Sequence, residues 1–383
     1  MELGIQIHFN CLRMIYELVI IGGGLAGLSL SIDLKKRGYK VLVIEKGQYP
    51  RHKVCGEYIS MESHRYLQSI CPGLSAYNLP SITHFKLTAS GSKEFNTPLD
   101  LGGFGISRYL LEELLFKEAE KLGVVFMLNT KAQDIRWDSD ANHYAIKTNG
   151  TTINTSLICN ATGRNANLKN TATKKIGTNY VGVKYHVKIP RNSKLIEIHN
   201  FPGGYCGISN IEDDKSCICY IVNAKYLKQV KNSIPELERT VLFRNNNLEK
   251  IFTTAEFILK EPVTVSGIQF AIKKPVTEEA FFLGDSAGSM APIIGNGMSM
   301  GFRSAAALAK CIDQYFSKQI TKQQLIENYT QFWNHEFSTR IRLSRSLQHL
   351  SESSFLTKRT IALFNLFPAL AKGVIKQTHG KPF

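Results

Sequence analysis

The chain lacks the signatures of several function classes. Its eight cysteines and ten histidines contain no C-x-x-C, no H-E-x-x-H and no H-x-H, so ligand spacing gives no metal site. There is no zinc-finger spacing, RNA-binding signature or arginine-rich arm, which puts nucleic acid last among partners. No uninterrupted apolar run reaches the ~20 residues that a membrane span needs. Residues 1–13 have neither a basic start nor a long apolar centre, so they do not read as a secretory signal. They read as a disordered leader, or as an upstream start ahead of Met14. The scattered cysteines are then expected to be reduced thiols of a cytoplasmic protein. Tryptophan is scarce (Trp137 and Trp333 only), and we find neither an internal repeat nor a low-complexity tract.

Positive charge, by contrast, is in surplus. Against 31 acidic residues stand 47 basic ones, a formal net charge of +16. Such a balance favours anionic partners, phosphorylated cofactors or acidic lipid surfaces among them. The 383 residues suffice for one large domain or two intergrown ones.

The rest of the chain is organised around residues 16–45, YELVIIGGGLAGLSLSIDLKKRGYKVLVIE. Residues 16–21 are rich in β-branched side chains, as a buried parallel strand is. Gly22, Gly24 and Gly27 follow as G-x-G-x-x-G. A helical pattern over 25–37, beginning Leu25-Ala26, has Gly38 as its C-terminal stop. A second strand over 39–44 ends at Glu45. The first glycine serves the tight turn, the second lets backbone approach a pyrophosphate, and the third lets helix pack on strand. The pyrophosphate meets the positive helix end, and Glu45 is placed to accept ribose hydroxyls. A glycine turn in an ordinary βαβ unit is the bland alternative. The motif alone does not separate FAD from NAD.

The loop KGQYPRHKVCGEYIS (46–60) is basic, and Lys46, Arg51 and Lys53 are candidates for contact with phosphate or adenine. Helices are predicted over 61–70 and 108–122, the second N-capped by Ser107. A hairpin is predicted over 82–99, and strands over 124–128, 135–148 and 151–159. From 180 to 272 short strands dominate, with a helix over 236–246. A buried strand at 281–283, a long helix over 296–316 and a basic helical C-terminus complete the chain.

The run FFLGDSAGSMAPIIGNGM (281–298) resembles the G-D motif of FAD-dependent enzymes of the geranylgeranyl reductase and para-hydroxybenzoate hydroxylase superfamily. The resemblance implies that Asp285 binds the ribityl chain. It also sets Pro292, Gly295, Asn296, Gly297 and Met298 beside the isoalloxazine ring. Arg108 resembles the family arginine that reaches toward FAD, and Ala161 and Gly163 resemble its strand-end A-x-G turn. Lys53 to Gly56 resembles the K-x-C-G-G segment of geranylgeranyl reductases, which implies a catalytic or pocket role for Cys55. Glu57 replaces the second glycine of that segment. The W-x-W-x-I-P stretch of flavin halogenases is absent, which argues against halogenation.

The expected architecture is α/β: a Rossmann-like FAD-binding domain with an inserted β-rich substrate domain and a helical C-terminus. The FAD-binding domain is assigned 14–80, 101–165 and 273–320. The substrate domain takes 81–100 and 166–272, and the helical region 321–383. The expected function is FAD-dependent oxidoreduction of a hydrophobic or lipid substrate, with NAD(P)H as transient donor. Reduction of an isolated C=C bond is placed ahead of O2-dependent hydroxylation, and a non-catalytic flavin sensor is a third reading. The apolar stretch 355–371 is expected to touch a membrane surface, to cover a lipid-shaped tunnel, or to be an ordinary core helix broken at Pro368. Oligomeric state is not legible.

Overall fold

The computed structural model describes residues 15–91, 93–164, 179–270, 273–278 and 280–383. The leader over 1–13, and the first part of the inserted segment at 166–178, lie outside these residues. The chain opens with β1 (Tyr16–Ile21), α1 (Leu25–Lys36) and β2 (Val41–Ile44), followed by β3 (Tyr58–Ser60) and α2 (His64–Ile70). Strands β4 (Ser81–Ala89) and β5 (Lys93–Gly105) form the expected hairpin, and α3 (Arg108–Lys121) follows. Ser107 caps α3 by accepting the Leu110 N–H at 3.1 Å. Next come β6 (Val125–Met127), β7 (Asp134–Asp138), β8 (His143–Lys147) and β9 (Thr152–Asn160).

The inserted part holds β10 (Tyr180–Lys188), β11 (Leu195–Phe201), β12 (Gly204–Asn210) and β13 (Ser216–Asn223). It continues through α4 (Ala224–Gln229), α5 (Ile234–Thr240), α6 (Asn246–Thr254), β14 (Glu256–Phe257) and β15 (Val263–Ile268). The chain then returns through β16 (Phe281–Phe282) to α7 (Gly297–Phe316), α8 (Lys322–Ser351), α9 (Ser354–Leu366) and α10 (Pro368–Thr378).

Two sheets result. The first has the order β6-β2-β1-β9-β8-β7, with β16 beside β9. It is parallel through β6, β2, β1, β9 and β16, and the β7–β8 hairpin extends it antiparallel. Strand β1 is paired on both edges, by β2 and β9, and its side chains are buried on both faces, so its YELVII sequence need not alternate. The second sheet runs β14-β10-β13-β12-β11-β4-β5-β3, with β15 also paired to β10. One face packs on α5 and α6 through Val183, Ile208, Ile218, Leu237 and Leu248. The other presents Ile198, Tyr205 and Ile221 toward the first sheet's glycine turns.

Two features depart from the sequence reading. The single helix expected over 236–246 is broken into α5, a 3-10 turn at Leu242–Arg244, and α6. Asn245 breaks it, because its carbonyl oxygen caps α6 while its amide donates to Thr88 Oγ1 and the Asn200 carbonyl, each at 3.0 Å. In addition, β3 and the end of β5 lie in the second sheet, although residues 58–60 and 101–105 were assigned to the FAD-binding domain.

The turn after β1 generates a prediction. Gly22 has φ +104°, and a Cβ there would lie 2.6 Å from the Ala161 carbonyl group. Gly22→Ala is expected to destabilise the protein by several kcal/mol, adding backbone strain to overpacking of about 1–3 kcal/mol. Chemical denaturation checks this.

Candidate functional site

Three neighbouring parallel strands, β1, β9 and β16, end in glycine-containing turns at one edge, which is where doubly wound sheets bind ligands. The turn after β1 divides its three glycines by task. A Cβ on Gly27 would lie 2.1 Å from the Gly22 carbonyl oxygen, so Gly27 serves packing. At Gly24 a Cβ would meet only Lys53 Nζ, at 3.6 Å. Backbone is therefore bare there, beside an ammonium, at the start of α1. No side chain caps that helix start. Bare N–H groups at a helix N-terminus suit a pyrophosphate.

Charges gather beside this cradle. Arg51 bonds Glu45 at 2.6 Å and Glu112 at 3.2 Å, Lys53 lies 3.5 Å from Glu112, and Arg108 pairs with Glu112 one helical turn on. Three cations thus face two carboxylates, and the excess positive charge suits an anion. Glu45 also accepts the Gly23 and Gly47 N–H groups at 2.8 and 2.9 Å. Burial alone would raise its pKa, but the Arg51 hydrogen bond and charge bring it down to about 2. The expected ribose acceptor therefore already holds an arginine and two amides, and Glu45 does not line the cavity. Arg108 Nε is buried with no hydrogen-bond partner.

Beyond β16, Asp285 holds Arg164 Nε at 3.0 Å. Gly295 adopts φ +65°, and Gly297 opens α7. Asn296 turns away from the cavity and donates from Nδ2 to the Thr378 carbonyl at 2.8 Å. Met298 Sδ lies 3.7 Å from Cys55 Sγ, so the G-D segment and the K-x-C-G segment meet.

The Cys55 loop is held by the second sheet. Glu57 is fully buried at φ +56°, a region that favours glycine. Its carboxylate receives Lys184 Nζ at 2.7 Å, His186 Nε2 at 2.6 Å and the Arg108 N–H at 2.8 Å. Ser209 Oγ donates to the Gly56 carbonyl at 3.1 Å and Cys217 Sγ to the Cys55 carbonyl at 3.3 Å. Burial would raise the Glu57 pKa, but the His186 hydrogen bond and the Lys184 charge hold it at about 2. Ligand atoms of Glu57, His186 and Cys217 lie within 4.8 Å of one another, a clustering that ligand spacing did not reveal. Both Glu57 oxygens are already engaged and an ammonium is in place, so the cluster is a buried ion pair. Sequence reading missed Lys184 and His186. Their signal is two ionisable residues, Lys184 and His186, at alternate positions in the middle of β10, a strand whose neighbouring residues are mostly apolar.

All of this borders one cavity of about 690 Å³. Its cofactor end is lined by Gly24, Leu25, Ala26, Lys46, Lys53, Arg108, Ala161, Gly163 and Asp285. Cys55, Pro292, Gly295, Gly297 and Met298 line its middle. The far end is apolar, with Phe85, Leu87, Ile196, Ile198, Tyr205 and Ile221 on the sheet and Leu347, Phe364 and Ile375 on the C-terminal helices. Gly22, Gly27, Arg51 and Asn296 stand behind the lining. Neither tryptophan reaches it: Trp137 is exposed on β7 and Trp333 is buried in α8. The bare Gly24 backbone, the uncapped α1 and the orphaned Arg108 Nε all fit a dinucleotide flavin.

Gly24→Val is expected to fold normally and lose FAD by at least roughly tenfold in affinity, because its side chain fills the cradle. The cofactor released from the parent is expected to be FAD and not FMN; chromatography of the released cofactor and a binding titration check both. Glu57→Gln leaves a buried ammonium without its counter-charge and is expected to cost about 3–5 kcal/mol. Because the Glu57 pKa falls from 4.5 to about 2 on folding, its contribution is complete above about pH 4.5 and is lost as pH falls toward 2. The stability gap between parent and variant should narrow over that window.

Comparisons with known proteins agree with the cradle. A family model described as "FAD binding domain" matches residues 16–332. The chain is 22% identical to Conditioned medium factor receptor 1 of Dictyostelium discoideum, over 95% of this chain and 78% of that protein. It is 23% identical to a 1H-pyrrole-2-carbonyl-[peptidyl-carrier protein] brominase of Pseudoalteromonas luteoviolacea, over 78% of each. With a digeranylgeranylglycerophospholipid reductase of Methanococcus vannielii it shares 22% over 83% of this chain and 82% of that one. In fold it is similar to a flavoprotein/dehydrogenase from Cytophaga hutchinsonii, with TM-score 0.75 at 17% identity over 89% of this chain and 87% of that one. The glycine cradle and the extent of the family match lead to one assignment: the chain belongs to the FAD binding domain family and is an FAD-dependent enzyme.

Proposed function

We propose that the enzyme reduces an isolated C=C bond in an elongated apolar substrate such as a prenyl or polyene lipid. The observation that carries this reading is the continuity of the cavity. One cavity joins the Gly24 cradle, Cys55 and Met298 to the apolar side chains Phe85, Leu87, Ile196, Ile198 and Phe364. Such a lining strips an apolar chain of water. FAD would be held by Gly24, the start of α1, Lys53, Arg108 and the Asp285–Gly297 segment. When bound and reduced it supplies a hydride, with NAD(P)H as the proposed transient donor.

This chain's own residues supply the rest. The apolar walls orient the double bond, and Cys55 Sγ–H gives its proton to the carbon that does not receive the hydride. The sulfur left behind accepts the Glu57 N–H, whose nitrogen lies 3.5 Å from Sγ. Water returns the proton between turnovers.

A second reading is O2-dependent hydroxylation of an aromatic or lipid ring. It draws on Tyr205, an aromatic residue of the cavity-facing side of the second sheet, which suits contact with a ring. Oxygen separates the two readings. Under the reductase reading, turnover of polyprenyl lipids proceeds anaerobically, and Cys55→Ser lowers it roughly 100-fold or more at normal FAD content. Incorporation of label from 18O2 into product, with Cys55→Ser near parent activity, would instead establish hydroxylation.

A further inference from the structure

Helices α9 and α10 have two working faces. The inner face closes the cavity through Thr357, Thr360, Phe364, Val374, Ile375 and Thr378. The outer face leaves Phe355, Leu356, Leu363, Leu366, Phe367 and Leu370 in solvent, with Leu366 73% and Phe367 58% exposed. These two form the turn between the helices, where Pro368 begins α10. Isolated exposed apolar residues are ordinary, but a contiguous patch marks an interaction surface.

Charge identifies the partner. No acidic residue follows Glu352, while Lys358, Arg359, Lys372, Lys376 and Lys381 share the segment with the patch. A second copy of this chain would bring the same cations against themselves. Apolar side chains rimmed by cations of one sign suit a surface that offers hydrocarbon beneath negative headgroups. No helix among the described residues is long and apolar enough to cross a membrane, so contact is from one side.

We propose that the outer face of α9 and α10 docks on an anionic phospholipid bilayer, with the Leu366–Phe367 turn entering the headgroup region. The helices that touch lipid are then the same ones that wall the cavity, and an apolar substrate passes between them and the second sheet.

Flotation of the FAD-loaded full chain tests this, using phosphatidylcholine vesicles with and without phosphatidylglycerol. Binding should require phosphatidylglycerol and weaken by about tenfold or more in high salt. Leu366→Ser with Phe367→Ser should reduce it by at least about tenfold, with FAD content and unfolding temperature unchanged. Lys372→Glu with Lys376→Glu should act likewise at low salt. Failure of the parent to float, or equal binding by both variants, overturns the proposal. So does a parent dimer in sedimentation that the Leu366/Phe367 variant dissolves, which would make a second copy the occupant. The assay contains no substrate, so its failure leaves the oxidoreductase reading intact.

Discussion

Glu57 is where the two sheets are held to each other. Its carboxylate is shared by Lys184 and His186 of the second sheet and by the first amide of α3, which packs against α1. A buried ion pair gains little over apolar packing, since the attraction is offset by desolvation. What it supplies is a unique arrangement, because any other docking leaves a charge buried alone. The left-handed backbone at Glu57 costs about 1–3 kcal/mol, and the resembling segment of geranylgeranyl reductases has glycine at this place. Here the side chain is retained because it is the counter-charge for Lys184. Cys55, two residues away, receives its position as a consequence.

The cofactor end works by surplus rather than by a single pair. Arg51, Lys53 and Arg108 outnumber Glu45 and Glu112, and the helix start adds partial positive charge. The carboxylates fix the cations in place before any anion arrives, which lowers the ordering cost of binding. Glu45 shows the division of labour: it sits at the strand end the fingerprint predicts, yet its carboxylate organises Gly23, Gly47 and Arg51.

Much of this was legible from sequence because it is local. The strand, glycines and helix of 16–45 follow from neighbours along the chain, as do the Ser107 cap and the β4–β5 hairpin. What was not legible is what distant residues do together. Lys184 and His186 look out of place on β10 until Glu57, well over a hundred residues away, is brought to them. The break at Asn245 could not be seen because helical propensity there yields to hydrogen bonds with Thr88 and Asn200 on other strands. The exposed face of α9 and α10 was equally hidden, since an apolar sequence does not say which of its sides is covered.

The Asn296–Thr378 hydrogen bond ties the α10 end of the chain to the segment between β16 and α7. The helices that complete the cavity are encoded downstream of every other part of its wall. A chain cut before α9 would keep the residues of the cradle, the Cys55 loop and the apolar sheet but lack the wall that α9 and α10 give the cavity.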